Sequence, residues 1–191
     1  MIPLLALRHG KTSWNVQKRL QGRNDIPLSA EGVAQVSNWR IPVDITGYRW
    51  VCSPLNRALE TAKLLGAGPE PEDAILEMSW GDWEGQRFEE LKQQMGREMR
   101  ENLARGLDFR PHGGESPREV MARLEPWLKT LTSPTVAVCH KGVLQALYAL
   151  ATGWDMVARP QEKLRDDKAH LFHVHDGRIR VEQMNIPLDA P

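Results

Sequence analysis

The sequence predicts an α/β fold, a three-layer α/β/α sandwich around a mostly parallel sheet. Three observations predict it. Apolar, β-rich runs at 4–7, 49–53 and 135–139 each lead into a polar turn and then a segment with helical apolar spacing. The chain closes with two β-rich runs, 169–174 and 178–184, around Asp176-Gly177, which reads as a hairpin adding one antiparallel strand. With 191 residues, 41% of them hydrophobic, the chain has enough apolar material for one substantial core, so a single domain over 1–191 is expected.

Taken in order, the first run, Leu4-Leu5-Ala6-Leu7, ends on Arg8, His9 and Gly10. Residues 11–28 read as a polar loop, the kind of segment that carries function at strand carboxyl ends. Ser29 is the expected N-cap of the next helix, with Val33, Val36 and Trp39 as its apolar face. After the second strand, Pro54 suits the first helical position, and Leu55, Leu59, Ala62 and Leu65 repeat at helical spacing until Gly66 and Gly68 stop them. Residues 74–78 read as a third strand, with Glu77 where the chain leaves it. Residues 87–105 are densely charged, and Phe88, Leu91, Met95, Met99 and Leu103 predict one amphipathic helix. Ser116 and Glu119 form a capping box for a helix over 117–131. The fourth strand, 135–139, delivers His140, and Gly142 opens the helix that ends near Gly153.

Composition narrows the function. Twenty-five basic residues balance 25 acidic ones, so no global field favours nucleic acid or a membrane surface. No apolar run approaches a membrane span, no signal-peptide pattern opens the chain, and the cytoplasm is the expected compartment. Cys52 and Cys139 lie in apolar runs and read as buried free thiols. His170, His173 and His175 suggest a metal cluster, but strand alternation places His170 on the opposite face from the other two, so neither metal nor cofactor is expected.

The chemistry sits where the strands end. In open α/β sheets, ligands bind outside the carboxyl ends of the strands. The first and fourth strands both end in His-x-Gly or His-Gly, and the second runs into a helix with Arg57 in its first turn. Two guanidiniums, Arg8 and Arg57, and two imidazoles, His9 and His140, suit a phosphate, with forks for its oxygens and a nucleophile for its phosphorus. An arginine opposes the helix dipole at Arg57, a mild cost that an anion facing it would offset. Glu77 and Glu84 both lie by an aromatic loop containing Trp80 and Trp83, where desolvation would raise a carboxyl pKa.

These residues carry a resemblance. Arg8-His9-Gly10 with Trp14-Asn15, Gln21-Gly22, Asp25 and Pro27-Leu28 is followed by Ser53-Pro54-Leu55, Arg57-Ala58 and Thr61-Ala62. Then come Glu77, Gly81, Trp83-Glu84-Gly85, Gly114-Glu115-Ser116 and His140-Lys141-Gly142. In that order they resemble the histidine phosphatase superfamily, which contains cofactor-dependent phosphoglycerate mutases, α-ribazole phosphatases and broad-specificity phosphatases.

The resemblance implies a phosphoglycerate mutase-like fold and a metal-independent phosphomonoesterase working through a phosphohistidine. It implies that Asn15, Gln21 and Gly22 touch the phosphate or its ester oxygen, and it favours Glu77 over Glu84, because the family's acid stands four residues before the first glycine of its block. His9 is then the nucleophile; Arg8, Arg57 and His140 hold the phosphoryl oxygens; Glu77 protonates the leaving group. Lys11 and Lys141 depart from the family pattern; if they face the pocket, the substrate carries a second anionic group. The expected partner is a small phosphorylated metabolite, with α-ribazole phosphate, a sugar phosphate and a nucleotide all compatible, and at most a second copy of the chain in a homodimer. A mutase and a catalytically inactive phosphate-binding module are the alternatives. Mutases, by resemblance, carry a longer insertion rich in arginine and proline after the acid-bearing block; here about 29 residues separate Gly85 from Glu115.

Overall fold

The computed structural model describes residues 1–188; the last three residues of the expected domain, 189–191, lie outside it. Six strands form one sheet among the described residues: β1 (Ile2–Arg8), β2 (Arg49–Cys52), β3 (Glu70–Pro71), β4 (Thr135–Cys139), β5 (Lys168–His175) and β6 (Arg178–Pro187), in the order β3-β2-β4-β1-β5-β6. The β3/β2, β2/β4 and β4/β1 pairs are parallel, and β5 runs antiparallel to both β1 and β6. The expected three-layer α/β architecture, with one antiparallel strand, is the one found.

Among the described residues, seven α-helices flank the sheet: α1 (Ser13–Val16), α2 (Ala30–Ser37), α3 (Asn56–Leu64), α4 (Phe88–Met95), α5 (Arg97–Leu103), α6 (Pro117–Thr130) and α7 (Lys141–Thr152). The central strand explains the layers. Along β1, Leu4 and Ala6 point to the face covered by α6 and α7, while Leu5 and Leu7 point to the face covered by α2 and α3. All four are fully buried, as a strand with helices on both sides requires. The β5–β6 turn, Asp176-Gly177, has positive φ at both positions (49° and 75°), the geometry whose twist matches a two-residue hairpin. On β5, His170 is fully buried while His173 bonds Glu182 at the surface, as alternation required.

Five local readings need correction. Residues 74–78 are not a strand: Asp73–Ile75 is a 3₁₀ turn capped by the Glu72 carboxylate, and β3 lies just upstream. Ile75 is fully buried without a sheet partner, and a short apolar run cannot distinguish those two ways of burying it. The segment 87–105 breaks into α4 and α5 at Gly96, which has φ 53°. Pro54 precedes the Leu55 N-cap instead of occupying the first helical position. The polar loop 11–28 contains the short helix α1, closed by a capping box between Thr12 and Asn15. Val33 faces solvent, and of the expected apolar face only Val36 and Trp39 are buried. Ser29 and Ser116 each cap their helix as expected, Ser116 in a capping box with Glu119.

Candidate active site

The register of the parallel strands brings their carboxyl ends level. Arg8 pairs with Cys139, and Cys52 with Val138. The ladder continues one residue further, with His9 N–H donating to the Cys139 carbonyl (3.0 Å) and Ser53 N–H to the Val138 carbonyl (3.0 Å). His9, His140 and the entry to α3 therefore emerge side by side. They open onto a cavity of about 610 Å³ that Arg8, His9, Asn15, Gln21, Gly22 and Arg57 line together with Glu77, Lys141 and Gly142. Every site residue expected from the sequence borders this one cavity except His140, which is fully buried with its ring 5.2 Å from the His9 ring between centroids.

The tautomer of His9 follows from one bond. Its Nδ1 lies 2.7 Å from the Gly10 carbonyl, which can only accept, so Nδ1 carries the proton and Nε2 keeps its lone pair. Gly10 is itself held, its N–H donating to Thr61 Oγ1 (2.9 Å), and that hydroxyl donates to the Arg57 carbonyl (2.7 Å). Burial, and then the guanidiniums of Arg8 and Arg57, push the His9 imidazole well below its ordinary pKa, outweighing the Gly10 bond. Burial, then His9 and the two arginines, push His140 the same way. Both rings are neutral at pH 7, which leaves His9 nucleophilic.

Arg57 is fully buried in the first turn of α3. Its Nη1 and Nη2 donate to the carbonyls of Asn24 and Gly22, both at 2.7 Å, so the residue also pins the loop that carries Gln21. Asp25 offsets its charge at the same helix end, accepting from Asn56 N–H and Nδ2 at 2.7 Å each. Gly22 has φ 51°, and a Cβ there would lie 2.0 Å from Glu84 Oε1, so only glycine fits. The buried Nε atoms of Arg8 and Arg57 and both ring nitrogens of His140 have no partner among the described residues. Burying such groups unpaired costs roughly 1–3 kcal/mol each, and an anion with several acceptor oxygens would satisfy the donors among them together.

Asn15 and Gln21 are braced by one hydroxyl: Thr12 Oγ1 lies 3.0 Å from both Asn15 Oδ1 and Gln21 Oε1, and its one proton is shared between them. That leaves their amide N–H groups free to serve the cavity. The two candidate acids separate clearly. Glu84 is a loop tie, accepting from the N–H groups of Arg23 (3.0 Å) and Trp80 (3.1 Å) and from Asn24 Nδ2 (2.6 Å). Glu77 is buried against the cavity and accepts from the N–H groups of Met78 (2.8 Å) and Gly142 (3.1 Å). Burial raises its pKa, more than the Met78 bond, Arg57, Arg8 and the Gly142 bond together lower it. A Cβ on Gly142 would sit 2.5 Å from Glu77 Oε1, so glycine is what lets the α7 amino end reach the carboxyl. Cys139 is fully buried, and burial raises its thiol pKa, which makes it a packing residue.

Sequence reasoning missed Asp166 and the segment 153–167 that carries it. Asp166 Oδ2 lies 2.6 Å from Arg8 Nη1, and Lys141 Nζ is 3.8 Å from its other oxygen. The available signal was length: about 15 residues without regular structure between a strong helix and a strong strand is unusual in a compact domain. Lys11 pairs with Glu31 at 2.5 Å, outside the main cavity. Asp166 competes with any anion for Arg8, so Asp166→Asn is expected to lower KM for a phosphomonoester about two- to fivefold, with a smaller change in kcat. The pair is half exposed on the Asp166 side, which keeps the effect modest. Steady-state kinetics at fixed ionic strength check this, and an unchanged KM would remove Asp166 from the account.

Residues 4–187 match the family described as the histidine phosphatase superfamily (branch 1). A glucosyl-3-phosphoglycerate phosphatase of Mycolicibacterium vanbaalenii is 35% identical, over 78% of this chain and 74% of its own length. A 2,3-bisphosphoglycerate-dependent phosphoglycerate mutase of Beijerinckia indica is 28% identical, over 78% of this chain and 81% of its own. Among solved structures, the mycobacterial glucosyl-3-phosphoglycerate phosphatase in complex with VO3 superimposes with a TM-score of 0.84 at 27% identity, covering 97% of this chain and all of that one.

Proposed function

We propose, since the chain belongs to branch 1 of the histidine phosphatase superfamily, that it hydrolyses a small phosphomonoester through a phosphohistidine on His9. The observation that carries this reading is the tautomer and setting of His9: a neutral ring with Nδ1–H on the Gly10 carbonyl, beside two arginines and a second neutral imidazole. Phosphoryl transfer needs positioning and charge neutralisation above all. In this mechanism Arg8, Arg57 and His140 hold the phosphoryl oxygens, with the amides of Asn15 and Gln21 assisting and Lys141 at the rim. His9 Nε2 forms a bond to phosphorus as the ester P–O bond breaks, and Glu77 gives its proton to the departing oxygen. Glu77, now a carboxylate, takes a proton from water as that water attacks phosphorus and the P–N bond breaks, returning the enzyme to its starting state.

A mutase would have to shelter the same phosphohistidine from water. Two features support hydrolysis. About half of the connection between Gly85 and Glu115 is taken by α4 and α5, and what it adds to the cavity is apolar side wall (Phe88, Leu103 and Phe109) with no arginine. At the rim, Lys141 and Asp166 side chains are 54% and 49% exposed, so solvent reaches the arginine end. With 3-phosphoglycerate and catalytic 2,3-bisphosphoglycerate, phosphate release is expected to exceed isomerisation. Isomerisation much faster than release would make the protein a mutase, and neither activity with any ester would favour the inactive binding module.

A further inference from the structure

We infer that the substrate's leaving group carries a flat apolar ring system, an aryl group joined to the phosphate through an alkyl oxygen, and that it lies on an aromatic wall beyond Glu77. This rests on the phosphomonoesterase reading for its orientation: the oxygen that Glu77 protonates must face Glu77, so the group attached to it extends away from the arginines. The rest of the cavity lining includes Trp80, Phe88, Leu103 and Phe109, together with Trp154 and Val157.

The wall is built from ring-to-ring contacts. The Trp80 ring meets Phe88 (6.1 Å between centroids) and Phe109 (5.8 Å) edge to face, and Trp83 backs Phe109 at 5.7 Å. Trp154 packs edge-on against Tyr148 at 6.0 Å, and its Nε1–H is already given to the Ala158 carbonyl at 2.8 Å. A sugar placed here would bring several hydroxyls against a surface with few free partners. Arg19 already gives two of its N–H groups, to the Gly85 carbonyl (2.6 Å) and Gln17 Oε1 (2.9 Å), and apart from the residues assigned to the phosphoryl group, Gln145 and Arg159 are the other charged or amide side chains in the lining. Hydroxyls desolvated without partners penalise binding, whereas a flat ring removes its own apolar surface and the wall's from water. Leu103 and Val157 are 36% and 60% exposed, so they are apolar side chains held at the cavity mouth where they add little to the core. The cavity volume lies within the range that takes ligands larger than a bare phosphate.

The test uses esters of primary alcohols, so that the bond broken is closely matched: 2-phenylethyl and 2-(1-naphthyl)ethyl phosphate against glycerol 3-phosphate and glucose 6-phosphate. The aryl esters are expected to have kcat/KM about ten- to hundredfold higher. Leu103→Gln and Val157→Gln, at exposed positions that do not threaten folding, should each shrink that ratio severalfold. Parity, or preference for the sugar or glycerol ester, overturns the inference. If no ester is hydrolysed, the phosphomonoesterase reading fails by itself, and calorimetric binding of the same esters decides the wall. Tighter binding of the phenylethyl ester supports it, and equal or weaker binding rejects it.

Discussion

His9→Ala is expected to reduce turnover of any phosphomonoester by roughly 10⁴-fold or more, the scale on which removing a covalent nucleophile acts. The reason is specific to this ring. Its Nε2 lone pair is preserved by the Nδ1–H bond to the Gly10 carbonyl, and burial with two flanking guanidiniums keeps the ring unprotonated. Water has no such positioned substitute in the variant. Rapid acid-labile labelling of the wild type by a phosphorylated substrate should vanish with His9→Ala while the circular dichroism spectrum stays the same. Retained label would transfer the nucleophile to His140, the other neutral ring of the pair.

The second large effect is selective. Glu77→Gln should depress hydrolysis of alkyl phosphates by about 10²–10⁴-fold, and of p-nitrophenyl phosphate within about tenfold, because nitrophenolate departs without a proton. Glutamine can still accept from the Met78 and Gly142 N–H groups, so the substitution removes the proton with little change of shape. The pH profile carries the same signature. Burial raises the Glu77 pKa, so the acid form is complete at low pH and is lost as pH rises through that raised value. Alkyl phosphate kcat should therefore fall on the alkaline side in the wild type, and that limb should flatten in Glu77→Gln. On the acid side, His9 stays neutral below the ordinary histidine range, so activity should extend into acid. Equal loss with both leaving groups would mean that Glu77 only braces α7, and a larger selective loss at Glu84 would move the acid there.

What a single sequence determined here is what depends on local period and strand-end chemistry. The apolar runs at β1 and β4, each ending in an imidazole, and at β2, leading into the helix that carries Arg57, are read from neighbouring residues alone, and so are the caps of Ser29 and Ser116. The parallel order of those strands then makes their ends coincide, which is why His9, Arg57 and His140 were legible as one site. Choosing Glu77 over Glu84 already needed more than local pattern: both carboxylates sit in the same aromatic stretch. Folding gives Glu84 three donors from the 23–24 loop and Trp80, and gives Glu77 the cavity and the amino end of α7.

Other features were decided only by tertiary structure. Asp166 is one acid among 25 in the sequence, and nothing within a few residues of it indicates that it will lie against Arg8, 158 positions away. The wall of the cavity joins Trp80, Phe109 and Trp154 from three separate segments, each of which reads alone as ordinary core or loop. Ile75 was misread for the converse reason, since burial against α6 and the sheet stabilises an apolar side chain whether its backbone is strand or 3₁₀ turn. Periodicity reports which residues leave water. Which groups meet after they leave it depends on chain segments that have no sequence relation to one another, and that part of the site exists only in the fold.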